Sequence, residues 1–160
     1  MTTIANTHRV VINVRPEAVF AYVSDLTRHP EWSGGRLKIE AVSSGPVAVG
    51  NQYLSHGDVA GQKDRPNELR VTQYQSPTRF AFVAKDPGFG DVSHEFTFQP
   101  QGSGTVMERI VTLDMAPLMA FAFKTFILPL IGKPSMDKSL AALKAKMEQG
   151  AGFNDEGPRK

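Results

Sequence analysis

The sequence predicts an α+β domain in which a seven-stranded antiparallel sheet curls around one long C-terminal helix, with two short helices after the first strand. Three observations predict it. A β-branched run, HRVVINV (8–14), leads at once into a stretch opened by Pro16. Residues 36–113 then alternate at period two between closely spaced turn signals, as an antiparallel meander does. Beyond them, Met136, Leu140, Leu143 and Met147 recur at helical spacing.

Taken in order, residues 1–7 are polar and read as loose. Pro16 suits the first position of a helix, where its missing N–H costs nothing, and Glu17 favours the positive end of the helix dipole. Val19, Phe20 and Val23 fall on one packing face. Asp25 can end this helix and cap a new turn. Pro30 disfavours helical geometry at His29, so the second helix has to be short or begin there. Trp32, the chain's one tryptophan, supplies area to seal the bend. Strands are expected near 36–43, 50–57, 67–74, 79–84, 91–99 and 104–113. SSGPVAVG, DVAGQKDRP, QSPT, KDPGFG and QPQGSG punctuate them.

The remainder reads as helix. One piece covers 118–128, and a second is capped by Ser135 and ended by Gly150. Pro129 and Pro134 each remove an internal hydrogen bond, which predicts a kink or break between the pieces. GAGFNDEGPRK reads as a tail. The chain thus divides into one domain, 8–149, with flexible termini at 1–7 and 150–160. Seven strands leave one face to cover, and the last helix alone is long enough to cover it. A sheet curling around that helix leaves room for a cavity at its wide end.

A formal charge of +2 without a dense basic run argues against a nucleic-acid partner. The absence of cysteine excludes disulfides, a thiol nucleophile and thiolate metal sites. MTTIANTHRVV lacks the pattern of a secretory signal, so a cytoplasmic location is the expectation. LDMAPLMAFAFKTFILPLI (113–131) approaches the length of a membrane span, yet it contains Asp114, Lys124, Pro117 and Pro129. The cost of those charges in lipid predicts a buried or cavity-lining helix without stable membrane insertion. Shallow surface attachment is the alternative.

Several motifs resemble the START-like, or SRPBCC, superfamily with its helix-grip fold, in particular the polyketide cyclase/dehydrase and lipid-transport branch. VINVRPEAVFAYVSD (11–25) resembles that branch's opening strand and helix, and Pro30-Glu31-Trp32 its proline and tryptophan after the aspartate. PVAVG (46–50) resembles the turn into its third strand, and FTFQPQGSGT (96–105) its hairpin. Leu143-Lys144 and Met147-Glu148 sit like the end of its last helix. The likeness covers roughly 8–148. It implies the fold, and it implies carriers, cyclases, receptors or chaperone regulators as functions, since one fold hosts many sites.

No hydrolase elbow, zinc-protease motif, Walker loop or dinucleotide fingerprint occurs. DPGFGD lies between strands and reads as a hairpin turn. His8, His29, His56 and His94 are scattered, so no metal site and no cofactor are expected. Period two places His94 on the same face as Val92, Phe96 and Phe98. Burial there would favour a neutral imidazole, suited to a ligand carbonyl or to general acid/base work in a cyclisation. A histidine bonded within the core is the alternative. His56 is in phase with Leu54, while Tyr74 shares parity with Arg70 and Thr72 on a strand whose inward face the pattern leaves open. Arg109 and Glu108 lie on opposite faces, and an inward Arg109 could hold an anion. Met119, Phe123 and Phe126 belong to an apolar set too wide for one stripe, so some can line a cavity or its mouth.

The expected function is binding of a small hydrophobic molecule, polyketide-, lipid- or isoprenoid-like. Its candidate contacts are His56, Tyr74, Phe96, Phe98, Arg109, Met119, Phe123 and Phe126. One alternative is a polyketide cyclase or dehydratase with His94 as acid/base. Another is an interaction module that uses 115–131 against a protein or membrane surface. The pattern leaves a homodimer open.

Overall fold

In the computed structural model, residues 1–59 and 62–154 are described. Seven strands form one antiparallel sheet in the order β1-β7-β6-β5-β4-β3-β2. They are β1 (Thr2–Ile12), β2 (Leu37–Ala41), β3 (Gln52–Val59), β4 (Gln62–Gln75), β5 (Arg79–Asp86), β6 (Gly90–Gln101) and β7 (Gly104–Met115). Every strand expected from residue 36 onward is present, most of them longer than period two alone suggested. Of the DVAGQKDRP punctuation, 58–59 and 62–66 belong to strands, and residues 60–61 lie outside the described residues.

The loose N-terminus is corrected. Thr2 pairs with Met115, and the register continues without interruption to Ile12 opposite Thr105. Polar residues there alternate with Ile4 and His8, both buried, so residues 2–7 possess an inner face and a partner strand. At the far end of this pair the backbones close tightly. A Cβ on Gly104 would lie 2.7 Å from the Ile12 carbonyl oxygen.

Helix α1 (Pro16–Ser24) opens on Pro16 and buries Val19, Phe20 and Val23, as read. Asp25 ends it and caps the next turn, its carboxylate accepting from the Thr27 amide at 3.1 Å. That turn is a 3₁₀ helix, Leu26–Glu31, short as expected but carrying Pro30 inside it. Trp32 closes the bend at 2 % exposure.

The C-terminal region is continuously helical: α2 (Pro117–Ala122), a π-helical stretch (Phe123–Gly132) and α3 (Lys133–Asn154). Of the predicted kink or break, the break does not occur. Pro129 sits within the π stretch, where widened turns accommodate a residue that can neither donate nor pack its ring into a regular α-helix. Ser135 is consequently no cap, because the helix runs through it. Ser139 instead bonds, its Oγ 2.8 Å from the Ser33 carbonyl oxygen. Gly150 does not end α3, which continues to Asn154, and 155–160 of the predicted tail lie outside the described residues.

Leu140 and Leu143 of α3 join Ile12, Val19, Phe20, Phe80, Phe96, Phe98 and Met107 in the principal core. The stretch preceding α3 behaves differently. The expected burial of 113–131 holds for Met115 and Ala120, but Leu118, Phe121, Phe126, Leu130 and Ile131 are 60–81 % exposed, and the π stretch buries no residue. Among the described residues no helix is long and apolar enough to cross a membrane.

Candidate functional site

Cross-strand register identifies the inner face of the sheet. Tyr53 lies opposite Leu69, Leu69 opposite Ala84, Phe82 opposite His94 and Phe96 opposite Arg109. Arg109 in turn faces His8. Directly paired residues share a face, so these side chains line one concave surface. The apolar residues of that surface fall into two clusters. The principal core is one, and Ile4, Met115 and Ala120, with Phe89, Leu113 and Phe123 against them, are the other. Asn6, His8, His94, Arg109 and Val111 belong to neither, and they form a mostly polar patch between the two.

Arg109 is the centre of this patch. Its guanidinium lies 5.3 Å from the ring centre of Phe96 and 5.8 Å from that of Trp32, an aromatic setting that favours a weakly hydrated cation. Burial brings its pKa down to about 10, so it stays charged at neutral pH. No carboxylate among the described residues pairs with it. Its Nη2 donates to His94 Nδ1 at 3.1 Å, while its Nε and the indole Nε1 of Trp32 are both buried without an acceptor. Two orphaned donors on neighbouring side chains are unusual, because buried polar groups are nearly always satisfied.

The bond from Arg109 settles the state of His94. A nitrogen that accepts from a guanidinium carries no proton, so the imidazole is neutral with its hydrogen on Nε2. Burial first, then the charges of Arg109 and His29, push its pKa well below the ordinary histidine value. The ring stacks on Phe82, 4.7 Å between centres and 13° between planes. His29 stands close by, 4.7 Å from the Trp32 ring and 5.8 Å from Phe82. Its Nε2 donates to the Val23 carbonyl at 2.7 Å. Burial, with some help from Arg109, lowers its pKa to about 3 against the contribution of that bond.

His8 closes the patch toward the helix. Its Nδ1 donates to Asp137 of α3 at 2.8 Å, and Asn6 occupies its other ring nitrogen. This pair ties β1 to α3 beside Arg109.

The structure brings His94, Phe96 and Arg109 together and separates the other predicted residues from them. Phe98 lies inward but is sealed beneath Phe20, ring centres 5.3 Å apart. Tyr74 also faces inward, against Phe20 at 5.2 Å, because a bulge between Val71 and Gln73 reverses the parity of β4. His56 is a correction. It is in phase with Leu54 on the outer face, where its Nδ1 lies 3.5 Å from Asp64. Phe123 packs on the smaller apolar cluster, whereas Met119 and Phe126 are 58 % and 60 % exposed.

His8, His29, Trp32 and Asp137 were not singled out as site residues by sequence. For His8 a signal existed, since it shares parity with the inward Val10 and Ile12. His29 and Asp137 arrive from helices, and no spacing along the chain encodes their approach. A hollow of about 530 Å³ indents the outer face of β3–β6 among Gln52, Leu54, Glu68, Arg70 and Lys85, whose charges suit water better than an apolar guest. Among the described residues no group of histidine and carboxylate side chains could hold a metal ion.

A meander wrapped on a C-terminal helix, with a bent helical pair after β1 and a polar patch on the concave face, is the helix-grip architecture of START-like proteins. The chain belongs to the family described as polyketide cyclase / dehydrase and lipid transport, whose sequence profile matches residues 3–148. Solved structures agree on the fold. An aromatase/cyclase, Zhui, from Streptomyces sp. R1128 is 16 % identical with a TM-score of 0.73, covering 92 % of this chain and 95 % of its own. The protein TTHA0849 from Thermus thermophilus is 16 % identical with a TM-score of 0.70, covering 92 % and 99 %. Truncated norcoclaurine synthase from Thalictrum flavum is 15 % identical with a TM-score of 0.68, covering 89 % and 92 %. No curated protein matches by sequence.

Proposed function

We propose that the chain binds a small, largely hydrophobic molecule carrying an oxygen acceptor, held between the concave face and the C-terminal helical region. Family membership supports a ligand-binding or cyclase role. The observation that carries the finer reading is Arg109, a buried cation without a carboxylate, whose Nε is orphaned beside the orphaned Nε1 of Trp32. A carbonyl, enolate or carboxylate oxygen would satisfy such donors, while the partly exposed Val111 and Leu113 offer apolar contact beside the buried Phe82 and Phe96. Polyketide-, lipid- and isoprenoid-like molecules all meet that description.

Native mass spectrometry of the purified chain, with a thermal-shift screen pairing each apolar compound with its oxygen-free isostere, tests this. The expected outcome is preferential stabilisation by the oxygen-bearing member, with Arg109→Met weakening that preference at least about tenfold, the scale of a lost charge-assisted hydrogen bond. If nothing co-purifies and no apolar compound stabilises the protein, the reading is wrong.

One observation favours a second reading, cyclase or dehydratase. With Nδ1 occupied by Arg109, His94 presents Nε2–H, so it could donate to a carbonyl oxygen whose developing charge Arg109 stabilises. His94→Ala should then abolish turnover of a polyketide-like chain while the fold persists. Unchanged turnover removes His94 from any catalytic role.

A further inference from the structure

We infer that the helical stretch Pro117–Gly132 is a docking face for an anionic lipid bilayer. Its exposed apolar side chains are Leu118, Met119, Phe121, Phe126, Ile127, Leu130 and Ile131. Phe121 and Phe126, at 67 % and 60 % exposure, alone present about 250 Å² if each ring side chain spans ~200 Å². The five aliphatic and methionine side chains carry the total past the few hundred Å² of apolar patch that a monomer ordinarily displays. Such a surface has to be covered by something.

Two features select a lipid surface as the cover. First, the apolar groups are not confined to one stripe. Leu118, Met119 and Phe121 spread around α2, and the widened π turns present Phe126 and Leu130 beside Ile127 and Ile131. Ala120 and Phe123 hold one side of the stretch to the sheet, and the apolar groups spread over the rest, a wider face than a rigid protein groove covers and one that fluid acyl chains can follow. Second, the charges are complementary. From Met115 to Met136 there is no carboxylate, but Lys124 and Lys133 are present, and Lys138 follows. Asp137, the next acid, is held by His8. Lysine stems can lie along the apolar surface while their ammonium groups reach anionic headgroups. The stretch is too short and too polar at its ends to span, so it would lie in the interface, with its apolar groups about 5–10 Å deep.

Docking does not depend on what the concave face holds, so the two can fail separately. Flotation of the full chain with phosphatidylcholine–phosphatidylserine vesicles tests it. The chain should float with these vesicles, and each of Lys124→Gln and Lys133→Gln should weaken partitioning by about fivefold. Omitting phosphatidylserine should weaken it further. The triple variant F126S/L130S/I131S should lose more than tenfold. All three side chains are already exposed, so its thermal midpoint should stay unchanged. The inference is overturned if the wild-type chain does not float at low salt, or if the triple variant floats as well as wild type. It is overturned equally if the wild-type chain forms a dimer that the triple variant disperses while neither binds vesicles.

Discussion

The two ends of the concave face are built from different chemistry. At one end Ile12, Phe80, Phe98 and Met107 are 0–2 % exposed, closed over by Val19 and Phe20 of α1 and by Leu143 of α3. Toward the other, Asn6, His94, Val111 and Leu113 are only partly buried and the buried Arg109 and His8 are polar, before Ile4, Met115 and Ala120 close a second, smaller apolar cluster. Apolar burial stabilises the first end in proportion to the area removed from water. Burying Arg109 without a carboxylate works against stability at the second. One end therefore holds the fold, and the other keeps surface that a solid core would have eliminated.

The largest expected effect breaks the comparison at the packed end. Phe98→Ala should cost about 3–5 kcal/mol, because the cavity left beneath Phe20 cannot collapse between a sheet and two helices. Val111→Ala, whose side chain is already partly in water, should cost no more than about 1 kcal/mol. Urea midpoints of the two variants measure the contrast, and equal losses would mean that the ends are packed alike.

Acid sharpens the comparison next. His29 has a folded pKa of about 3 against an ordinary value of 6.5. Between those values the unfolded chain binds a proton that the native state refuses, so stability falls as pH falls. The slope is about 1.4 kcal/mol per pH unit, or roughly 2–3 kcal/mol between neutrality and pH 4.5 from His29 alone. His94, lowered for the same reason, acts in the same direction. Carboxylates titrate nearby, so the informative quantity is the difference between wild type and His29→Gln. Parallel urea-stability profiles against pH would show that His29 is not held neutral.

Much of the scaffold was legible because it rests on periodicity. His94 read as inward from its parity with Phe96 and Phe98, and α3 from Met136, Leu140, Leu143 and Met147. Tyr74 was unreadable, since the bulge after Val71 inverts the parity on which the reading depends. For Arg109 against Glu108, both neighbours of the pair in VMERIV are apolar, and the pairing with Phe96 that decides the face lies on another strand. The approach of His8 and His29 to Arg109, and of Asp137 to His8, is tertiary information from three elements. The misjudged stretch, 117–132, marks a different limit. Hydrophobicity states that a segment avoids water but not what covers it, and here the chain itself does not.

The smallest expected effect probes the seam between the two ends. His8 faces Arg109 across β1–β7, and its bond to Asp137 joins the sheet edge to α3. The carboxylate is largely exposed, at 69 %, so solvent screens the pair and its worth is modest. Asp137→Ala should lower stability by about 0.5–1 kcal/mol, read from a small shift in urea midpoint. Amide exchange should rise locally in the first turns of α3 and leave Leu140 and Leu143, anchored in the core, unchanged. That pattern would make the seam a local tether over the polar patch. If exchange instead rises throughout α3, the helix is held chiefly from this end, and the division between a packed end and a loosely closed one is misplaced.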